Sequence, residues 1–122
     1  MSASRALLTL MRICAGIQVV LGIGFWTGHW YRLVNVHRTI GMLYVLALWI
    51  ISALAMRAPS LRGLAAGSIV WGLVIAALGM AQQGILIGDY HWIIRVLHLV
   101  IALSAMPLAE RLTRPAAVIA TA

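Results

Sequence analysis

Four long apolar stretches dominate this sequence and restrict its fold more than any other feature. They run over residues 7–26, 34–56, 64–87 and 92–108. A helix needs about 20 mostly apolar residues to cross the hydrocarbon core of a bilayer. A chain of 122 residues that is 64% hydrophobic has more apolar surface than a small soluble domain can bury. The sequence therefore predicts an all-α integral membrane protein with four transmembrane helices.

The links between these stretches are short, which restricts how the helices can be arranged. Pro59 and Gly63 break the helical pattern in the second link, and Gly28 and Gly88 lie in the other two. Helices joined by short links pack beside each other in opposite directions. We therefore expect an up-down-up-down bundle that forms a single domain over residues 1–122.

The charged residues predict the orientation of the chain and its surroundings. Six arginines fall on the side of the two termini and three on the other side; they are Arg5, Arg12, Arg57, Arg62, Arg111 and Arg114 against Arg32, Arg38 and Arg95. An excess of Arg favours the cytoplasmic side, so both termini are predicted to be cytoplasmic. The net charge is +7, but the arginines are scattered singly and form no basic stripe. The expected partner is the lipid bilayer, and no nucleic acid is expected.

All four histidines fall at or near the links on the side opposite the termini. Each half of the chain reads helix, Gly, His-Trp, helix and a second His, which suggests a duplicated hairpin. His37 and His98 lie inside apolar stretches at similar predicted depth, on helices two and four. Ionisable residues within a span are usually functional. His29 and His91 lie beside tryptophans, where an interfacial role is the simpler interpretation.

The neighbours of His37 and His98 favour haem over a bare metal ion. A transition metal requires three or four ligands, and no second ligand follows either histidine by three or four residues. A b-type haem requires two axial imidazoles on facing helices and cations for its propionates. Small residues follow each histidine by four positions and arginines lie close by; they are Gly41, Ala102, Arg38 and Arg95.

Two short motifs resemble those of bacterial membrane cytochromes b, including the cytochrome b561 type and the cytochrome b subunits of hydrogenases and formate dehydrogenases. Arg95–Leu103, R-V-L-H-L-V-I-A-L, resembles the family's R-x-x-H-W-x-x-A-x, with Leu99 in place of the family's Trp. His37–Gly41 resembles its H-x-x-x-G.

This resemblance implies a protein of the bacterial inner membrane that transfers electrons to or from a quinone or a redox protein. It implies one haem b with His37 and His98 as metal ligands. It also implies that Arg38 and Arg95 hold the propionates. His29 and His91 would ligate a second haem or bind a propionate.

Two other functions remain open from the sequence. One is a haem-free accessory subunit of a membrane complex, in which helix faces made of small residues would allow close contact with a partner helix. Such faces are formed by Gly16, Gly22 and Gly24 on helix one and by Gly72, Ala76 and Gly79 on helix three. The other is a small transporter, although no span carries the carboxylate that proton coupling requires. The amides of Gln18, Gln82 and Gln83 cannot titrate. We find no hydrolase or transferase signature, so enzymatic activity is expected only as electron transfer.

Overall fold

The computed structural model describes residues 2–114 of the chain. Within them the chain forms helices α1 (Ala3–Trp26), α2 (Val34–Ala55), α3 (Arg62–Ala81), α4 (His91–Leu103) and α5 (Ala105–Thr113). Short 3-10 turns precede α2 and α3 and follow α3, at Tyr31–Leu33, Pro59–Leu61 and Gln82–Gly84. The predicted domain of residues 1–122 extends to residues 115–122, which lie outside the described part.

Within residues 2–114, four segments are long and apolar enough to cross a membrane. They are Ala3–Trp26, Tyr31–Ala55, Pro59–Gly84 and His91–Thr113, the last of which comprises α4 and α5. Their outward faces are strongly apolar, with Ile13, Val70 and Met80 among the exposed residues. Lipid is the solvent that such surfaces fit. The structure thus supports the predicted all-helical, multi-pass membrane protein.

The third helix is shorter than the sequence pattern suggests. The apolar stretch was expected to continue to Ile87, but α3 ends at Ala81. A 3-10 turn follows, and Leu86 adopts a left-handed conformation with φ 49°. Gly84 in this segment is a poor helix former, which costs about 1 kcal/mol relative to Ala. The apolar residues after Ala81 therefore belong to the link rather than to the helix.

The fourth span is interrupted at Ser104, where α4 ends and α5 begins. Pro107 explains the interruption, because its ring cannot donate to the carbonyl of Leu103 and clashes with it. The Ser104 hydroxyl donates to Ile101 O at 2.6 Å and accepts from Trp71 Nε1 at 2.7 Å. The sequence pattern alone had suggested one uninterrupted helix over residues 92–108.

Close helix packing is concentrated in one half of the molecule. Every buried residue of α2 lies between Tyr44 and Ala55. The core around them includes Met11, Ala105 and Ala109 from other helices, all of them fully buried. The first ten residues of α2, which include His37, contain no buried residue. The histidine-bearing end of α2 is therefore less buried than the rest of that helix.

Large aromatic side chains fill the space beside several glycines. The indole of Trp30 occupies the position that a side chain at Gly24 would take, and the indole of Trp49 does the same at Gly72. Trp49 Nε1 also donates to Ile69 O at 3.1 Å. Lipid gives little hydrophobic drive for helices to associate, so close packing and interhelical hydrogen bonds supply the stability. These glycines therefore serve packing within the chain.

The two links that precede the His-Trp pairs share a backbone feature. Gly28 and Gly88 both have positive φ, 84° and 96°, a conformation that residues with a Cβ seldom adopt. Exposed aromatic residues flank both links; they are Trp26, Trp30, Tyr31, Tyr90 and Trp92. Similar conformations at equivalent places agree with the repeat suggested by the sequence.

Candidate functional site

His37 and His98 share an unusual property in the structure. His37 lies in the first turn of α2 and His98 lies within α4, and both side chains are half-buried. The Nδ1 atom of each ring is buried and has no hydrogen-bond partner among residues 2–114. Most buried polar atoms in proteins do have a partner, so each exception requires an explanation.

A single interhelical hydrogen bond relates the helices that carry these histidines. Tyr44 Oη donates to the carbonyl of Ala102 at 2.8 Å, which joins α2 to α4. Tyr44 follows His37 by two helical turns and Ala102 follows His98 by one, so each histidine lies on the same face as the residue that makes the bond. The two histidine faces therefore meet at this contact.

The two histidines also lie on the same side of this hydrogen bond, at comparable distances from it along the helix axes. His37 lies about 10 Å along the axis from Tyr44 and His98 about 6 Å from Ala102, at 1.5 Å per residue. The Tyr44 side chain leans towards the start of its helix, which reduces the difference.

Each histidine ring also contacts a helix that does not carry a histidine. Phe25, in the last turn of α1, meets the His37 ring edge-on with centroids 5.3 Å apart and planes at 73°. A Cβ added to Gly79 on α3 would lie 3.2 Å from His98 Cε1, so this ring lies against the α3 backbone. The sequence pattern gives no sign of a role for Phe25, and it places Gly79 only on a small-residue face.

The small residues predicted beside the histidines have specific neighbours. A Cβ added to Gly41 would lie 2.6 Å from Nε2 of Gln18, so the end of the Gln18 side chain fills the space beside Gly41. The Oε1 atom of Gln18 is buried and has no hydrogen-bond partner among residues 2–114. Ala102 contributes the carbonyl that Tyr44 binds. Gln18 thus joins the two histidines as a third buried polar group without a partner.

The predicted arginines lie beside the histidines at the surface of the bundle. Arg38 follows His37, is exposed, and donates from Nη2 to Oε1 of Gln83 at 3.2 Å. This bond connects the start of α2 with the turn after α3. Arg95 precedes His98 by three residues and is half-buried. Both cations are thus available within one helical turn of a histidine.

His29 and His91 are engaged in local hydrogen bonds. His29 is exposed, and its Nδ1 lies 3.2 Å from Oγ1 of Thr27. His91 is the first residue of α4, and its Nδ1 lies 3.1 Å from the carbonyl of Ile85. Within residues 2–114, no group of three or more His, Cys, Asp or Glu side chains could hold a metal ion. A metal site built from all four histidines is therefore not formed in this part of the chain.

The two acidic residues lie away from His37 and His98 in the chain. Glu110, near the end of α5, forms an ion pair with Arg12 at 2.9 Å, and both side chains are exposed. Asp89 lies in the link before α4.

Comparison of the chain with protein-family models, with curated proteins and with solved structures finds no match.

Proposed function

We propose that the chain is a membrane protein that binds haem b and transfers electrons, with His37 and His98 as the two axial ligands. The observation that carries this proposal is the pair of half-buried imidazoles on α2 and α4, the two helices that the hydrogen bond between Tyr44 and Ala102 joins. The Nδ1 atom of each ring is buried and has no partner among residues 2–114, which costs about 1–3 kcal/mol for each atom. Ionisable side chains within a membrane span are usually functional, and ligation of iron through the other ring nitrogen, Nε2, is the function that we assign to this pair.

The residues around the two imidazoles fit a b-type haem. Gly79 lets the α3 backbone approach His98, and Phe25 offers an apolar wall to His37. The first ten residues of α2 contain no buried residue, so a haem between α2 and α4 would displace no core side chain of α2 there. The bound haem would supply one-electron chemistry. The chain would hold it, exclude water from it and set its orientation.

The arginines complete this assignment. Arg38 and Arg95 would pair with the two propionates, since guanidinium groups bind carboxylates through paired hydrogen bonds. Arg38 already meets a polar acceptor, Gln83, at the bundle surface. We assign one haem, because His29 and His91 each have a local hydrogen-bond partner. Quinones or redox proteins are the electron partners that the resemblance to membrane cytochromes b implies.

We further propose that the four spans cross the bacterial inner membrane in alternating directions, with both termini in the cytoplasm. The ion pair between Arg12 and Glu110 joins the start of the first span to the end of the fourth. The contact between Phe25 and His37 joins the end of the first span to the start of the second. Both contacts support an up-down-up-down bundle, and the excess of arginine supports its orientation.

The test is the absorption spectrum of the protein purified in detergent from haem-replete cells. We expect a reduced-minus-oxidised spectrum of the b type, with about one haem per chain. The spectrum should be lost or strongly altered in His37→Ala and in His98→Ala. His29→Ala is the matched control, because this exposed histidine already has a local partner, and its spectrum should equal that of the unmodified chain. A colourless unmodified protein would contradict the proposal.

One observation favours a second function, that of a subunit in a larger membrane complex. Gly63 and Gly67 are one turn apart, and a Cβ added to either would meet no atom within 4 Å. They line an apolar groove of about 420 Å³ together with Trp71 and Leu108. Paired glycines at this spacing allow another helix to approach closely. In haem-free protein, loss of co-purifying subunits in Gly67→Leu but not in Gly84→Leu, which changes an open glycine in the turn after α3, would support this function.

A further inference from the structure

Gln18 is the buried polar side chain whose presence the packing of the bundle does not explain. It lies near the middle of α1 and is half-buried. Its Nε2 atom contacts the backbone at Gly41, and its buried Oε1 atom has no hydrogen-bond partner among residues 2–114. An apolar residue of the same length would fill this place without leaving a buried acceptor unpaired. The amide therefore points to a partner that can donate.

The complementary group lies one helical turn away. Gly41 follows His37 by four residues, so the two lie on one face of α2, about 6 Å apart along the axis. Gln18 reaches that face from α1. His37 carries a buried Nδ1 atom without a partner, and Gln18 carries a buried acceptor without a partner. Gln18 and His37 thus place a buried acceptor and a buried ring nitrogen on neighbouring turns of the contact between α1 and α2.

Ligation of a metal through Nε2 of His37 would require a hydrogen-bond acceptor for the proton on Nδ1. A neutral imidazole whose Nε2 binds a metal carries its proton on Nδ1, and that N–H normally donates to a carboxylate, a carbonyl or water. For His37, the carbonyl oxygen of the Gln18 amide is a buried acceptor without a partner that reaches the same face of α2. For His98, the ring lies instead against Gly79 on α3, with Nδ1 3.9 Å from a Cβ added there.

We propose that Gln18 is a positioning residue whose Oε1 accepts a hydrogen bond from Nδ1–H of His37. This inference rests on the proposed function, because it assigns the tautomer and the orientation that His37 needs as a ligand. The hydrogen bond fixes the ring plane and makes the imidazole a stronger electron donor. A stronger donor stabilises the oxidised metal relative to the reduced one, and so lowers the midpoint potential.

The test compares two substitutions of equal length. Gln18→Met removes the acceptor and keeps the side-chain length, whereas Gln18→Glu keeps an acceptor oxygen at the same place. We expect Gln18→Met to raise the midpoint potential by about 59 mV, the equivalent of a tenfold change for one electron. We also expect about 10- to 100-fold weaker haem retention, the range for lost partners of metal ligands. Gln18→Glu should restore retention and return the potential to the unmodified value or below it.

Gln82→Met is the control, because it removes an amide from the turn after α3 and should leave both quantities unchanged. Equal potentials and equal haem retention in Gln18→Met and the unmodified chain would overturn the inference while leaving the proposed function intact. If the unmodified chain binds no haem, the proposed function fails. In the haem-loaded, reduced protein, ¹⁵N NMR of the histidine rings adds a readout of the contact itself. The Nδ1–H proton of His37 should exchange with solvent more slowly in the unmodified chain than in Gln18→Met; equal exchange rates overturn the inference.

Discussion

The hydrogen bond between Tyr44 and Ala102 offers the sharpest test of how the two histidine-bearing helices are held together. The phenol is buried, with 4% of the residue exposed, and its hydroxyl donates to the Ala102 carbonyl at 2.8 Å. The substitution Tyr44→Phe removes this hydroxyl and keeps the ring. Any loss of stability therefore reports the bond rather than the packing of the aromatic group.

The expected loss follows from the membrane setting of this bond. Interhelical hydrogen bonds measured within membrane proteins contribute about 0.6 kcal/mol on average and at most about 1.7 kcal/mol. The equilibrium constant for unfolding should therefore rise by about threefold to about twentyfold, because 1.4 kcal/mol corresponds to a factor of ten. We expect haem retention to fall as well, since the same bond sets the relation of the His37 and His98 faces.

The assay is reversible unfolding of the purified protein in mixed micelles of mild detergent and SDS. Tyr31→Phe is the matched control, because Tyr31 is 59% exposed and stacks its ring on Phe25. That control should unfold like the unmodified chain. Equal stability of Tyr44→Phe and Tyr31→Phe would refute the reasoning, because it would show that the bond between α2 and α4 contributes nothing.

Two further outcomes are expected from substitutions near the histidines. Gly79→Val should reduce haem retention, because a Cβ at this position would already lie 3.2 Å from the His98 ring and a branched side chain would displace the ring. Gly16→Val is the control and should retain haem, because a Cβ at Gly16 meets no atom within 4 Å. Equal retention in both variants would contradict the packing of His98 on α3. Arg38→Gln should weaken haem binding, measured by titration of the haem-free protein, because one propionate loses a cation. Arg57→Gln changes an exposed arginine in the link before α3 and should bind haem normally. Equal weakening of haem binding in both variants would indicate a general effect of charge.

The sequence predicts the number of spans well, because twenty-residue apolar stretches leave a chain in lipid few alternatives. It predicts the ends of the helices less well. The pattern does not distinguish the apolar residues of the link at Ile85–Ile87 from those of α3, since both are equally hydrophobic. The interruption at Ser104 was missed, although Pro107 is the residue that signals it.

At the candidate site, the sequence likewise predicts which residues share a face of one helix but not which residues of two helices touch. The positions of His37 and Gly41 on one face of α2 follow from helical periodicity, and so do those of His98 and Ala102 on α4. The contacts with Gln18, Phe25 and Gly79 come from helices α1 and α3. The faces of α1 and α3 that meet α2 and α4 are set by helix packing. Because α1 and α3 carry apolar residues on every side, the periodicity of the sequence does not predict which face turns inward.

The most direct test of the account is electron paramagnetic resonance of the oxidised, haem-loaded protein together with its two single-histidine variants. Two imidazole ligands produce a strong ligand field, so the unmodified chain should give a low-spin ferric signal. His37→Ala and His98→Ala should each lose it in favour of a high-spin signal, or lose the haem. A low-spin signal that survives in either variant would show that the substituted histidine is not a ligand, and would contradict the assignment of His37 and His98 as the axial pair.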